Sequence, residues 1–329
     1  MLPIRRHILR LVFAALSTMA TADFAGAQGY PTRPITMVVP FGPGGPTDVL
    51  GRIVVERMGK SLGQPIIIEN VAGASGSTGV GRVARAAGDG YTLSIGPWTS
   101  HVVNGAIYTL SYDLLKDFEP VALLASGPVL IVARNTMPAA DLNDLVAQLK
   151  ANPDKMSAAT AGAGSPPHIA GIYFQTMTGT RFRFVPYRSG AQAVQDLIGA
   201  QTDLMFTEAS NGLQHVRAGK IKVYAVAAKR RLAGAPEIPT TDEAGVPGYH
   251  MAGWYGLWVP KATPKPIIDK LNAAVVEALA DSTVRARLAA LEVEIPPPDR
   301  QTPEALGAHQ RAEIAKWWPI LKAANIKAE

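Results

Sequence analysis

Two short runs of this sequence combine residue types that can hold an anion. Pro40-Phe41-Gly42-Pro43-Gly44-Gly45-Pro46-Thr47-Asp48-Val49 follows an apolar segment and leads into a helical pattern, and Ala161-Gly162-Ala163-Gly164-Ser165-Pro166-Pro167-His168 does the same farther along. Gly44 and Gly45 lack side chains, so their N–H groups can approach a ligand closely and adopt positive φ. Thr47 or Asp48 can cap the helix that follows, and a helix N-terminus favours negative charge. In the second run Pro166 and Pro167 open the helix, where a missing N–H costs little. No lysine follows Gly45, which excludes a P-loop, and Gly42, Gly44 and Gly45 do not fit the dinucleotide fingerprint. Each run alone admits two readings, a ligand-binding loop or a tight strand-to-helix turn. Together, one per structural unit, they can face each other across a cleft.

Signatures of catalysis are scarce. There is no G-x-S-x-G elbow, and the six histidines form no H-x-x-x-H or H-E-x-x-H pair. Ser165 and His168 are the candidate pair for a secreted hydrolase, since triads assemble from distant positions. Three residues apart at a helix start, they have poor geometry for direct proton transfer. The chain has no cysteine, so disulfides and thiolate metal sites are excluded. No metal or cofactor is expected.

The elements that position the two runs alternate. Residues 35–39 read as a buried strand, 48–62 as a helix, 66–69 as a strand, 79–87 as a helix and 92–95 as a strand. Such alternation implies an α/β fold with a mainly parallel sheet covered by helices on both faces. A second set starts near residue 129 with a strand to 133. It continues through helix 142–151, strand 156–159, helix 168–177, strand 182–186, helix 191–198 and strands 204–206 and 223–227. The two sets share no repeat-level sequence similarity. A strand-like return at 253–259 precedes a helix opened by Pro264 and Pro266, in which Ile267, Leu271, Val275 and Leu279 recur every four residues. A last helix is expected over 303–323, with Trp317 and Trp318 as packing residues. Crossings near 127–130 and 250–255 would make a two-strand hinge.

The first residues are read as a targeting segment. Arg5, Arg6 and Arg10 precede an apolar stretch that ends in Ala25-Gly26-Ala27. This is the pattern of a secretory signal peptide, with cleavage expected after Ala27. The apolar stretch is too short to span a bilayer. Without a cysteine there is no lipid-anchor acceptor, so a free periplasmic protein, monomeric and not a lipoprotein, is expected. Removing residues 1–27 leaves 29 basic against 25 acidic side chains, a mild surplus without a basic run. Nucleic acid is therefore not an expected partner, while an anionic small ligand is compatible.

Longer blocks resemble a known family. YPTRPITMVVPFGPGGPTDVLGR, IIIENVAGASGSTGVGRVARAAGDGYTL, GAGSPPHIAGIYFQ, FVPYRSGAQAVQDLIGAQTDLMF, AGKIKVYAVAAKRR, PTTDEAGVPGY and WYGLWVPKATPKPIIDKLN stand in order along the chain. They resemble the substrate-binding proteins of tripartite tricarboxylate transporters, often called Bug proteins. The resemblance implies a two-domain, flytrap-like (type II-like) periplasmic-binding fold. One domain would comprise residues 28–127 and 254–329, the other 128–253. It also implies capture of a small organic carboxylate between the domains and delivery to membrane transporter subunits. Carried over, the ligand would meet Phe41, Gly44, Gly45, Pro46, Thr47 and Asp48 on one side and Ala163, Gly164, Ser165 and His168 on the other. Trp98, Thr99 and Ser100 after the third strand, and Asp203 in the stretch AQTD, are further candidates.

The departures from the family pattern are informative. Pro46 stands where a small residue is common and removes an N–H donor. Gly51 replaces a frequent alanine, which weakens the helix slightly. Trp98 would favour a larger or aromatic ligand if it lines the cleft, and is a packed tryptophan otherwise. Glu208 would call for an amino group on the ligand if it faces inward, and is a solvated side chain otherwise. A sensor of the same ligand, reporting to a membrane receptor, would have the same site. Replacing Asp48 by alanine is expected to weaken binding with only modest loss of stability.

Overall fold

The computed structural model describes residues 29–323. The expected export signal lies outside the described residues. Strand β1 (Ile35–Val39) is buried at every position but Thr36, as its apolar run requires. Helix α1 (Pro46–Leu62) starts on a proline and stops at Gly63, which takes φ 72° as left-handed helix ends demand. Leu50, Ile53, Val54, Met58 and Leu62 form its buried face. Gly51 sits against the sheet: an added Cβ would come within 3.2 Å of Ile68 Cδ1. The propensity lost at Gly51 is thus exchanged for a close helix-to-sheet approach.

Strands β2 (Ile66–Asn70) and β3 (Thr92–Pro97) flank β1 in parallel, with α2 (Ser77–Ala84) in the crossover to β3. After β3 the chain makes a five-residue π turn, Thr99–Val103, and a short helix α3 (Asn104–Ile107). It then enters β4 (Phe118–Arg134), a strand of 17 residues. The second set comprises α4 (Leu142–Ala151), β5 (Ser157–Thr160), α5 (Pro166–Thr178), β6 (Arg183–Pro186), α6 (Gly190–Ile198), β7 (Leu204–Glu208), α7 (Ala209–Arg217) and β8 (Ile221–Val226). The return strand is β9 (Ala252–Pro260).

Strand order in the first sheet is β2-β1-β3-β9-β4, and in the second β6-β5-β7-β4-β8. The two orders are equivalent, so two units without sequence similarity share one topology. Each sheet is mainly parallel, as expected, with one strand against the other four: β9 in the first sheet and β4 in the second. Strand β4 serves both sheets: residues 118–128 pair with β9 in the first, and the second set begins at Val129, where β4 takes up β7. Gly127 pairs with Gly253 and Pro128 with Ala252 where β4 and β9 pass between the sheets.

Helices α8 (Lys265–Ala280), α9 (Ser282–Ala290) and α10 (Pro303–Ala323) complete the chain. The apolar stripe of α8 joins the cluster holding Ile53 and Met58 of α1, so the tail packs on the first sheet. Asp281 accepts from the N–H groups of Thr283 and Val284 at 2.9 and 3.1 Å, which starts α9 as a separate helix. Helix α10 lies over the π turn: Gln310 Nε2 donates to the carbonyl of His101 at 2.8 Å and Trp318 Nε1 to that of Val102 at 2.8 Å.

Candidate functional site

The two glycine runs close in the same way. Gly44 takes φ 79° and its N–H donates to Asp48 Oδ2 at 2.9 Å. Gly164 takes φ 82° and its N–H donates to His168 Nδ1 at 2.8 Å. In each case the third helical residue reaches back over the helix start to hold the loop. The N-cap positions are Gly45 and Ser165, and neither side chain caps. The expected cap by Thr47 or Asp48 is corrected: both lie inside α1. First-turn N–H groups of a helix have no partner within it, so α1 and α5 present positive ends toward the space between the sheets.

The holders differ in chemistry. Asp48 is buried and also accepts from Arg52 Nε at 2.9 Å, Arg52 Nη2 at 3.0 Å and Asn70 Nδ2 at 2.9 Å. Burial pushes its carboxyl up, but the Arg52, Gly44 and Asn70 hydrogen bonds outweigh this and leave it below the usual range. His168 packs edge-on against Phe184 at 4.5 Å, and burial lowers its imidazole to about 4. With Nδ1 accepting, it is a neutral side chain at pH 7.

The loops face each other across a cleft with two connected parts. An inner cavity of about 40 Å³ is lined from the first unit by Phe41, Gly45, Pro46, Thr47, Pro97 and Tyr255. From the second come Val129, Ala161, Pro166, Pro167, Gly190, Met205, Phe206, Thr207, Glu208 and Asn211. An outer cleft of about 870 Å³ takes Phe41, residues 72–76, Tyr108, residues 160–163, His168, Phe184 and residues 186–188. The walls touch directly. Tyr108 Oη donates to the carbonyl of Ala163 at 2.6 Å, and the Gly42 N–H to that of Arg188 at 3.3 Å.

Of the expected site residues, Phe41, Gly45, Pro46, Thr47, Ala163, His168 and Glu208 line these spaces, while Gly44, Asp48, Gly164 and Ser165 shape the loops behind them. Four others are placed elsewhere. Trp98 is 2% exposed and packs on Trp317 with ring centroids 4.9 Å apart, so it is a core residue and gives no reason to expect an aromatic ligand. Thr99 and Ser100 are buried in the π turn, where Ser100 Oγ donates to the Pro97 carbonyl at 3.0 Å. Asp203 sits at the end of β7 opposite Glu208. It accepts from Arg134 Nε at 2.9 Å and from the Ser157 N–H at 2.8 Å, and so ties strands together away from the cleft.

Glu208 is not a solvated side chain: it is 4% exposed, and Tyr255 Oη donates to its Oε2. Burial pushes its carboxyl up to about 7, against the lowering effect of the Tyr255 hydrogen bond.

Tyr108, Gly190, Asn211 and Tyr255 went unassigned in the sequence reading. Gly190 had a signal, since Ser189 and Gln192 form a cap before α6 and the Ser189 hydroxyl accepts from the Gln192 N–H at 3.2 Å. Tyr108, Asn211 and Tyr255 reach the cleft only through long-range packing.

The Ser165–His168 pair is not wired for nucleophilic catalysis. Ser165 Oγ accepts from the Ala161 N–H at 3.1 Å and His168 Nδ1 from the Gly164 N–H, so each is committed to a different backbone donor. No three His, Asp or Glu residues gather as metal ligands among the described residues. No helix among them is long and apolar enough to cross a membrane.

Comparison with known proteins bears on the family and the fold. Residues 50–326 match the tripartite tricarboxylate transporter family receptor, TctC. A protein of Agrobacterium vitis in the TAR-I ttuE-ttuC' intergenic region is 37% identical, over 96% of this chain and 92% of its own. MatC of Rhodopseudomonas palustris, solved with bound malate, is 40% identical with a TM-score of 0.86, covering 89% of this chain and all (100%) of that one. A second R. palustris structure, with adipate, is 33% identical with a TM-score of 0.86, covering 91% and 100%.

Proposed function

We propose, since the chain belongs to the tripartite tricarboxylate transporter receptor family, that it is a periplasmic receptor for a small organic carboxylate. It would bind the ligand between its two glycine loops and pass it to membrane transporter subunits. The observation that carries this reading is the pairing of the loops: two helix N-termini, opened by Pro46 and Pro166, converge on one cleft. Each such end stabilises an anion by roughly 0.3–1 kcal/mol, up to about 2 when partly buried. With several N–H bonds added, micromolar affinity, about −8 kcal/mol, is within reach without an arginine clamp. Malate in MatC and adipate in the second relative are ligands of this class.

In this reading residues 28–127 with 254–329 form one lobe and 128–253 the other, and the β4–β9 crossing at Gly127 and Gly253 is the hinge. Closure is a population shift, the ligand favouring the form in which both loops meet it. Pro46, at the first turn of α1 and on the cavity wall, narrows the donors available there to backbone N–H groups on either side of it.

A thermal-shift screen against mono-, di- and tricarboxylates tests the proposal, because a ligand bound only by the folded state raises its melting temperature by mass action. At least one carboxylate should give a saturable shift, whereas the corresponding alcohols should give none. No shift with any carboxylate would overturn it.

A further inference from the structure

Glu208 stands out among the groups of the inner cavity. It occupies the N-cap position of α7, yet its carboxylate makes no cap hydrogen bond to that helix. The side chain turns instead toward the crossing of β4 and β9. Oε2 takes the Tyr255 hydroxyl, while Oε1 has no hydrogen-bond partner among the described residues. Oε1 occupies space that any side chain at position 253 would fill, since a Cβ there would come within 2.3 Å of it.

No lysine, arginine or histidine lines the inner cavity. Besides Glu208, Tyr255 is the one titratable residue among those lining the inner cavity. Asp48, one residue beyond Thr47, is committed to Arg52. A buried carboxylate without a counter-ion is unfavourable, and a cation from the ligand removes that penalty. The cavity, at about 40 Å³, has space for a compact head group. Phe41, Pro97 and Phe206 give that group apolar walls.

We propose that the ligand carries a cationic nitrogen as well as its carboxylate, and that Glu208 is the specificity-determining residue that receives the nitrogen in the inner cavity. This rests on the carboxylate-receptor reading and narrows it to zwitterionic acids, with the carboxylate at the helix ends and the ammonium at Glu208. Both charges of the ligand are then matched by the protein. A diacid would instead place a second negative charge against the Glu208 carboxyl.

Calorimetric titration of the wild type and Glu208→Gln with matched pairs tests it. The pairs are butyrate and 4-aminobutyrate, glutarate and glutamate, and 3-phenylpropanoate and phenylalanine. The wild type should bind the amino member of at least one pair about tenfold or more tighter than its partner. Glu208→Gln should erase that preference, bringing the two members of the pair to within a few-fold of each other. Affinity of the wild type for the amino member should also climb as pH rises through 7, where Glu208 ionises. Equal or tighter binding of the amine-free acids by the wild type would overturn the proposal, as would an amino preference that survives in Glu208→Gln. Absence of binding by every compound to both proteins would overturn the carboxylate reading itself, and this inference with it.

Discussion

The loop at Gly44 and the loop at Gly164 are near-copies in backbone and unlike in chemistry. Both place a glycine at φ close to 80° and tie its N–H to the side chain of the third helical residue. The first tie is an ionised carboxylate inside a network with Arg52 and Asn70, and the second is a neutral imidazole leaning on Phe184. The comparison separates shape from charge: the ligand-facing geometry comes from glycine and the helix end, while the side chain that holds it is free to vary. It also separates the loops by acid sensitivity, because the imidazole starts to cost stability below its ordinary 6.5 and the carboxylate only below its ordinary 3.8.

Removing the holders gives the largest expected effect. Asp48→Ala leaves Arg52, Asn70 and the Gly44 N–H without their common acceptor, at a cost of about 2–3 kcal/mol. This exceeds the modest loss expected from sequence, where Asp48 looked like a simple cap. His168→Ala removes one neutral hydrogen bond and part of an aromatic contact, and should cost less. Urea unfolding of both variants checks the order; equal losses would break the contrast between the loops.

Acidification should loosen the second loop first. His168 has its folded value lowered to about 4 from an ordinary 6.5, so its contribution is complete above pH 6.5 and is lost as pH falls toward 4. At pH 5 the loss is about 2 kcal/mol. Asp48 is also lowered, from 3.8, so its contribution persists until pH falls below that value. Glu208 acts in the opposite sense: its folded value is raised, so stability falls as pH rises from 4.5 toward 7. The readout is therefore the difference between wild type and His168→Gln across pH 7 to 5, which should shrink on acidification. A constant difference would show that the imidazole is not the acid-sensitive tie.

A smaller effect sharpens the contrast at the glycines. An alanine at either position pays about 1–2 kcal/mol for positive φ. At Gly44 the added Cβ meets only Ala191, at 3.5 Å, whereas at Gly164 it meets Ile107 Cδ1 at 2.2 Å, on the opposite wall of the cleft. Gly164→Ala should therefore weaken carboxylate binding about tenfold more than Gly44→Ala, at similar cost in stability. Equal losses of affinity would mean that the walls need not approach this closely to bind.

Much of this was legible in the residues. The apolar run before Pro40, the glycines, and the proline-led helix starts were enough to locate both loops, because strand, turn and helix signals there are local. Trp98 and Asp203 show where such reading fails. Trp98 follows a strand that ends at the cleft, but its side chain turns to α10, an element more than two hundred residues later. Asp203 lies on the right strand at the wrong end, and sequence does not say which end of an antiparallel pair meets the ligand. Glu208 and Tyr255 come together only because β7 and β9 both pair with β4. That long-range pairing leaves no mark in a window of residues.

Binding between the two glycine loops requires one carboxylate to be held by both helix ends at once. Hydrogen–deuterium exchange with and without the carboxylate giving the largest thermal shift tests it directly. New protection is expected in residues 41–48 and 161–168 together, at the same ligand concentration. Protection confined to one of these loops, or found only outside them, would contradict it.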